Sequence, residues 1–372
     1  MTVADICEIR IYDSALNWVD VCATAESVRF DRELSGAGAF EIHVHPEKNG
    51  ALTLATRGNI IVINSMPELS GIVRSFSVSE SRDKAEFVVF GETCASLLRQ
   101  RVIVPPTQTQ EPTAQGWDRF SGDTESVIKH YILAQVVSPY DDNRAIPILT
   151  VADNQNRGQP LTWQARFSVL LDEITDISQF AGAGFHVTTD IANKRLIFET
   201  IFGTDRSKNQ DAVSPVSFNM EYQNVDEYSY SEDYTTFATT GYAGGAGENE
   251  NRLILPLGGD YTGLERFESF LDCANAKNVT ELQTLSQKKL SELAPVKNVE
   301  ASALPRAYAF GKDYFLGDLV TLYISRLELD ISTPVTAVSE VWERQSGHKT
   351  EIRFGERLPN IFTAKLRKDL VM

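Results

Sequence analysis

Apolar and polar residues alternate along much of the first hundred positions. Glu8-Ile9-Arg10-Ile11-Tyr12 alternates, and Phe40-Glu41-Ile42-His43-Val44-His45 does so over six residues. A period of two puts Phe40, Ile42 and Val44 on one face of a strand, with Glu41, His43 and His45 on the other. Ser35-Gly36-Ala37-Gly38 reads as a flexible turn between strands, and Cys94-Ala95-Ser96-Leu97-Leu98 as a short helical close. Residues 1–100 are therefore expected to form a first small β-barrel or sandwich domain.

The period changes after a stretch rich in Pro, Thr, Gln and Gly from Pro105 to Phe120, which reads as an exposed connection. Asp123 is placed to cap a helix reaching about Val137, with Val127, Ile128, Tyr131 and Ile132 sharing a face. Phe167, Leu170, Leu171, Ile174 and Ile177 recur at helical spacing, and Gly182 or Gly184 should end that helix. A hairpin follows, Phe185 to Thr188 and Arg195 to Glu199 around Ala192-Asn193-Lys194. Residues 101–212 are thus predicted as an α+β insertion domain. Strands return in 213–357, read as a second β-barrel domain with a helical insertion at about 262–294. Thr262 with Glu265, and Thr280 with Gln283, have capping-box spacing, and Pro295 stops the second helical piece. Residues 358–372 read as a C-terminal amphipathic helix, with Ile361, Phe362, Leu366 and Leu370 together. It would dock on a partner or pack on its own domain.

One β pattern is written twice. Arg57-Gly58-Asn59-Ile60-Ile61-Val62-Ile63 leads through Gly71-Ile72-Val73 to Phe90-Gly91-Glu92. Leu316-Gly317-Asp318-Leu319-Val320-Thr321-Leu322 leads through Thr333-Pro334-Val335 to Phe354-Gly355-Glu356. Each copy is a Gly-Asn/Asp turn, a strand, a hairpin and a strand closing on Phe-Gly-Glu. Glycine turns before apolar strands are common in themselves. The shared ending and similar spacing favour a repeat, and two similar β units in one chain can act as two quasi-equivalent subunits of a ring.

Charge narrows the functions. The 372 residues carry a net charge of −16 and a pI near 4.8, which argues against nucleic-acid recognition and against docking on an anionic membrane. No apolar run approaches membrane-spanning length, and Met1-Thr2-Val3-Ala4-Asp5 lacks the features of a signal peptide. The chain is expected to stay in a cytoplasm or leave inside an assembly. Cys7, Cys22, Cys94 and Cys273 show no Cys-x-x-Cys pair and read as reduced thiols, mostly buried.

The search for chemistry yields no catalytic, cofactor-binding or metal site. Histidines stand at 43, 45, 130, 186 and 348. His43 and His45 share a strand face and could share a metal, but spacing places no third ligand. Zinc, nucleophile-elbow and phosphate-loop motifs are absent. Cys94 paired with a distant His is conceivable, but its setting reads as packing. Asp141-Asp142 and Glu232-Asp233 read as solvated pairs in loops. Not an enzyme, and no cofactor, is the expectation.

Two stretches remain. Thr240 to Ile254 includes Gly244-Gly245-Ala246-Gly247 and then Glu248-Asn249-Glu250-Asn251-Arg252, which reads as a mobile hairpin tip reaching a neighbouring subunit or as an idle loop. Between Lys208 and Arg252 no basic residue occurs, against eight acidic ones: Asp211, Glu221, Asp226, Glu227, Glu232, Asp233, Glu248 and Glu250. They form a solvated face or a channel lining that repels DNA phosphates.

Taken together, the Gly244 to Arg252 stretch, the Gly317 to Val320 turn, the Ile352 to Glu356 close and the helix-then-hairpin from Phe167 to Glu199 resemble the tail hub proteins of siphophages and prophages. That family includes the N-terminal hub part of tail-associated lysins, and the resemblance runs from about Ile6 to Gly355. It implies a phage baseplate hub-like fold, mainly β with α+β insertions: two similar β-barrel domains plus helix-hairpin modules. It further implies a homotrimer in which two barrels per chain make a pseudo-hexameric ring. This ring would join the distal tail or tail tube protein ring to the tip and close or open the DNA channel. The partners implied are the tape measure protein and tail fibre or tip proteins, with genomic DNA passing through without specific binding and no membrane insertion. Its place would be the virion, at the distal end of the tail, after synthesis in the host bacterial cytoplasm. A receptor- or glycan-binding tip protein and a tail-associated cell-wall hydrolase are the alternatives.

Overall fold

Strands dominate, as the period-two patterning requires: 42% of the chain is strand and 19% helix. The structure is a computed structural model and describes residues 7–82, 85–105, 116–303, 307–344 and 346–355. The amphipathic helix expected at 358–372 lies outside the described residues. The chain divides into two units, 1–227 with 301–354, and 228–300 with 355–372.

Unit 1 opens with β1 (Ile9–Tyr12), β2 (Trp18–Cys22), β3 (Ser27–Glu33) and β4 (Ala39–Val44). A single helical turn, α1 (Ala51–Leu54), precedes β5 (Ile60–Ile63), β6 (Ser70–Glu80) and β7 (Ala85–Thr93). Pairing is antiparallel throughout, in the order β2-β1-β5-β6-β7-β4-β3. Phe40, Ile42 and Val44 are buried on one face of β4, as their alternation requires. They pack with Ile9, Ile11, Phe30, Ile61 and Val89, and the Phe30 and Phe40 rings stack 5.8 Å apart.

The insertion comprises β8 (Asp118–Asp123), α2 (Thr124–Ile132), β9 (Leu149–Val151), β10 (Pro160–Ala165), α3 (Leu170–Ala181), β11 (Gly184–Asp190) and β12 (Arg195–Ile201). Asp123 caps α2, accepting from the Ser126 N–H at 2.8 Å, and a π-helical turn continues the helix through Leu133–Val137. Val127, Ile128, Tyr131 and Ile132 are all fully buried, against Leu170, Leu171, Ile174 and Ile177 of α3. Gly182 ends α3 in the left-handed region at φ 63°, where a side chain would be strained. β11 and β12 then pair as an antiparallel hairpin, with β9 added in parallel.

After β13 (Ser217–Phe218) the chain leaves unit 1 along β14 (Val225–Asp233). Unit 2 contains β15 (Thr240–Gly244), β16 (Ile254–Gly258), β17 (Glu268–Asp272) and α4 (Val279–Ser291), and the chain returns along β18 (Val296–Ala303). Its three-stranded sheet has the order β16-β15-β17. Ala243 and Leu271 of the sheet pack against Leu282 of α4. The first of the two predicted helical pieces does not form. Gly263–Glu265 is a single 3-10 turn without a Thr262 side-chain cap, and Glu268–Asp272 is strand, buried only at Leu271 and partly at Ser269. The second helix begins earlier than Thr280 with Gln283 suggests. Asn278 accepts from the Glu281 N–H at 3.0 Å, and Glu281 accepts from the Lys277 N–H at 2.9 Å.

The back copy of the repeat is β19 (Leu319–Ile324), β20 (Leu329–Glu343) and β21 (Gly347–Gly355). Gly58 and Gly317 have matching φ angles of 89° and 90°. Gly58 N–H donates to Val73 O and Gly317 N–H to Val335 O, each at 2.9 Å. In return Val73 N–H donates to Asn59 O and Val335 N–H to Asp318 O, again at 2.9 Å. Immediately afterwards each hairpin slips register, between Val73 and Ser75 and between Val335 and Ala337. The turn and bulge are one device used twice.

The Phe-Gly-Glu endings, by contrast, do not superimpose. Val73 faces Gly91 across the first bulge, whereas Val335 faces Phe354 across the second. Position for position, Gly91 therefore matches Phe354, and Phe90 is 37% exposed where Phe354 is fully buried. Nor does the strand path close into a barrel among the described residues. The reason is local: the free edge of β3, which a closed front barrel would need, pairs with β20 from Ala337↔Glu33 to Glu343↔Ser27. Front and back copies thus share one sheet.

Candidate functional site

Where β3, β20 and β21 meet the insertion, unit 1 carries a cleft of about 1380 Å³. Its wall includes Arg32, Phe185, Phe310, Tyr314, Glu340 and His348. Glu340 sits at a core-facing position of β20, between the buried Val338 and Trp342. Arg32 Nη2 donates to its Oε1 at 2.8 Å, Thr350 Oγ1 donates to Oε2 at 2.9 Å, and His348 Nε2 lies 2.7 Å from Oε2. Burial pushes this carboxyl upward, but His348 and Arg32 outweigh it and hold Glu340 below the usual carboxylate range. Arg32 also lies 4.8 Å over the Phe310 ring, and His348 stacks on Trp342 at 4.8 Å. An ionised carboxylate with both oxygens engaged cannot deliver a proton, so the network shapes the wall rather than offering an acid. Sequence reasoning missed it because Arg32 and Glu340 lie far apart in the chain. The available signal was a glutamate on the apolar parity of an alternating strand.

The residues weighed for chemistry are dispersed. His43 is held between Glu86 (Nδ1, 2.9 Å) and Glu41 (Nε2, 2.6 Å). Burial lowers its pKa, but the two carboxylates more than offset that and raise it. His45 instead accepts from the Glu47 N–H, so the two imidazoles are engaged separately. His130 pairs with the buried Asp118 at 2.8 Å and His186 with Glu199 at 2.9 Å. Among the described residues no group of three or more His, Cys, Asp or Glu is placed to hold a metal ion. Cys94 is fully buried, its Sγ donating to Ser70 Oγ at 3.6 Å, and burial pushes the thiol up to about 12. Asp141 accepts from Asn143 N–H, Asp233 from Thr235 N–H, and Glu232 from the Tyr230 and Tyr234 hydroxyls. Asp141 and Asp233 cap turns, and Glu232 is held by two tyrosine hydroxyls.

The glycine-rich stretch is anchored over its first half, contrary to the mobile tip expected. Gly245 N–H donates to Leu253 O and Ala246 N–H to Ala276 O, both at 2.8 Å. Arg252 donates to Gly245 O and Gly244 O and pairs with Asp272. A side chain at Gly244 would collide with Arg252 and Phe270, so glycine is what lets the guanidinium lie across the strand. Gly247 to Asn251 are exposed. The acidic residues Asp211, Glu221, Glu227, Glu232, Asp233, Glu248 and Glu250 are exposed as well. Among the described residues of unit 1, β2 pairs only with β1, and Trp18 (63% exposed), Val19 and Val21 are exposed on it. Gly50 lies against the Val21 carbonyl and Thr53 donates to Asp20 at 3.0 Å, so that edge is partly covered.

The family described as Siphovirus ReqiPepy6 Gp37-like protein matches residues 8–356. The chain belongs to that family. No curated protein matches it. Among solved structures, the chain is similar to the tail protein from Neisseria meningitidis MC58 at 14% identity and TM-score 0.58, covering 94% of this chain and 96% of that one. Similarity to the prophage tail protein gp18 from Listeria monocytogenes EGD-e is 12% at TM-score 0.58, covering 98% and 99%. The 43 kDa tail protein of prophage MuSo2 from Shewanella oneidensis gives 10% at 0.58, covering 94% and 98%. At these identities the likeness establishes the fold: this member of the siphovirus family has the fold of phage and prophage tail proteins. Among its described residues no helix is long and apolar enough to cross a membrane.

Proposed function

We propose that the protein is a structural hub at the distal end of a siphophage tail. Three copies form a ring, and the two β halves of each chain act as quasi-equivalent lobes, presenting six positions to the tail tube and three to the tip. The observation that carries this reading is the duplicated device at Gly58 and Gly317, with equal φ, equal hydrogen bonds and a bulge after each. A chain that builds the same hairpin twice in one sheet has the means to meet a sixfold neighbour with threefold copies. The exposed apolar residues of β2, Trp18, Val19 and Val21, supply a contact surface between lobes. A net charge of −16 suits a channel through which DNA passes without sticking. The tape measure protein and tail fibre or tip proteins complete the set of partners, and the chemistry of the channel is exclusion rather than catalysis.

Negative-stain electron microscopy of the purified chain and of tails, with symmetry left free, tests the proposal. A threefold ring with six lobes and a central hole is the expected image. Compact monomers in both samples would overturn it. Rings in tails with monomers in isolation would mean that the tube ring templates assembly.

A further inference from the structure

Among the described residues, the sheet of unit 2 has one covered face and one open face. Ala243, Leu255, Leu257 and Leu271 pack with Leu282 of α4. Alternation then sends Tyr242, Ile254, Pro256 and Phe270 the other way. Tyr242 is 42%, Ile254 48% and Phe270 53% exposed. Register sets Tyr242 directly opposite Pro256 on one side and Phe270 on the other, so three strands present one apolar row, with Ile254 beside it. Scattered apolar residues on a surface need no explanation, but a contiguous row does.

Charge identifies what covers it. On the same face Glu268 pairs with Arg266 at 2.6 Å, and Asp272 pairs with Arg252, whose guanidinium lies 5.3 Å over the Phe270 ring. Arg252 and Arg266 are the only basic residues between Lys208 and Lys277. Both are thus engaged, and the exposed charge beyond them is mostly acidic. Glu248 and Glu250 stand exposed at one end of the sheet, where Lys277 is exposed and Lys289 is engaged by the Asp272 carbonyl, and Asp260 and Glu265 stand exposed at the other. We propose that this face docks a different tail protein, through an apolar segment flanked by Lys or Arg. A second copy presenting the same face would set acid against acid. A glycan stacked on Tyr242 would need carboxylates to accept from its hydroxyls, and the two on this face are taken by arginines. The identification of the partner as a tail component rests on the hub reading above.

The test places a photoreactive p-benzoylphenylalanine at position 242, expresses the full chain during tail assembly, and maps adducts in purified tails by mass spectrometry. The expected result is one adduct with a different tail protein, on an apolar peptide carrying Lys or Arg. A Phe270→Ser variant of that chain should lose the adduct while its circular dichroism and melting temperature stay unchanged, since Phe270 is half exposed. An adduct with a second copy of this chain, or none in tails that contain it, overturns the docking proposal and leaves the hub reading standing. Absence of the unmodified chain from tails overturns both. Unmodified tails that bind peptidoglycan or cell-wall glycan fragments, with Phe270→Ser abolishing that binding and sparing the adduct, would reassign the face to sugar.

Discussion

Gly58 and Gly317 offer a controlled substitution, because their backbones are alike and their surroundings are not. Both sit near φ 90° and both donate to the carbonyl of the valine before the bulge. An alanine in either place bears the same left-handed strain, about 1–2 kcal/mol. At Gly58 the new methyl meets nothing within 4 Å, so strain is the whole cost. At Gly317 it meets Leu34 Cδ1 at 3.0 Å and Ile201 Cγ2 at 3.2 Å, tighter than ordinary contact. Leu34 is buried, so its room to retreat is small. Overpacking of this kind adds about 1–3 kcal/mol. Gly317→Ala should therefore cost about 2–5 kcal/mol in all, and Gly58→Ala about 1–2. Differential scanning calorimetry of the intact chain, read at the transition in which unit 1 unfolds, measures both. Equal losses, or a larger loss at Gly58, would refute the claim that the two turns are the same device in different packing.

Phe354→Ala should destabilise unit 1 by about 3–5 kcal/mol and Phe90→Ala by less than about 1, because only the former is core; equal losses in urea denaturation, as a letter-for-letter repeat requires, would contradict this. Glu125 is fully buried and accepts from Lys129 Nζ at 2.6 Å and Arg157 Nε at 2.9 Å. Burial raises its pKa, but these donors outweigh burial and hold it well below the usual range. A depressed carboxylate stabilises above its unfolded pKa, so its contribution should be present at pH 7 and fall away as pH drops below about 4.3. Glu125→Gln should cost about 3–5 kcal/mol at pH 7 by stranding Lys129, and the loss should shrink in acid; a pH-independent loss in melting experiments would contradict the assignment. With the fully buried Cys94 thiol pushed up to about 12, it should not react with a thiol reagent at pH 8 until the chain unfolds, and prompt labelling of Cys94 would contradict its burial.

What the sequence displayed depended on the range of the interaction. Alternation in β4, the Asp123 cap and the glycine stop at Gly182 are settled by neighbours in the chain, and each was readable there. The capping-box spacing at Thr262 misled because the residues after it, Glu268 to Asp272, pair with β15, and that pairing outweighs a local helical preference. The Phe-Gly-Glu match misled for a subtler reason. A slip of one residue sends a strand's side chains to the other face, and whether Gly91 or Phe90 faces Val73 is settled by the Phe40 ring, which fills the space over Gly91. In the back copy Phe354 fills the core itself, close to Phe218, whose ring in turn meets the cleft-lining Tyr314. Glu340 and Arg32 were invisible as a pair because only the β3–β20 pairing brings them together.

That pairing is where fold and proposed function meet. Three ion pairs cross between the front and back copies: Arg29 with Glu351, Arg32 with Glu340, and Glu33 with Arg353. The more exposed of these contribute little stability each, roughly 0–1 kcal/mol. The Arg32–Glu340 pair penalises a slipped register, because moving β3 by one residue would leave the mostly buried Arg32 and the buried Glu340 unpaired. The backbone pairing supplies attachment and the charges supply registration. Two copies joined by a loose linker could take up any spacing, whereas two copies in one registered sheet have a single spacing. A ring that alternates front and back lobes around a sixfold neighbour requires that fixed spacing within the chain to match the spacing between chains. In the proposed ring, the ladder from Ser27 to Glu33 against Ala337 to Glu343 is therefore the element that sets the spacing of the two lobes, more than the resemblance of the two hairpins themselves.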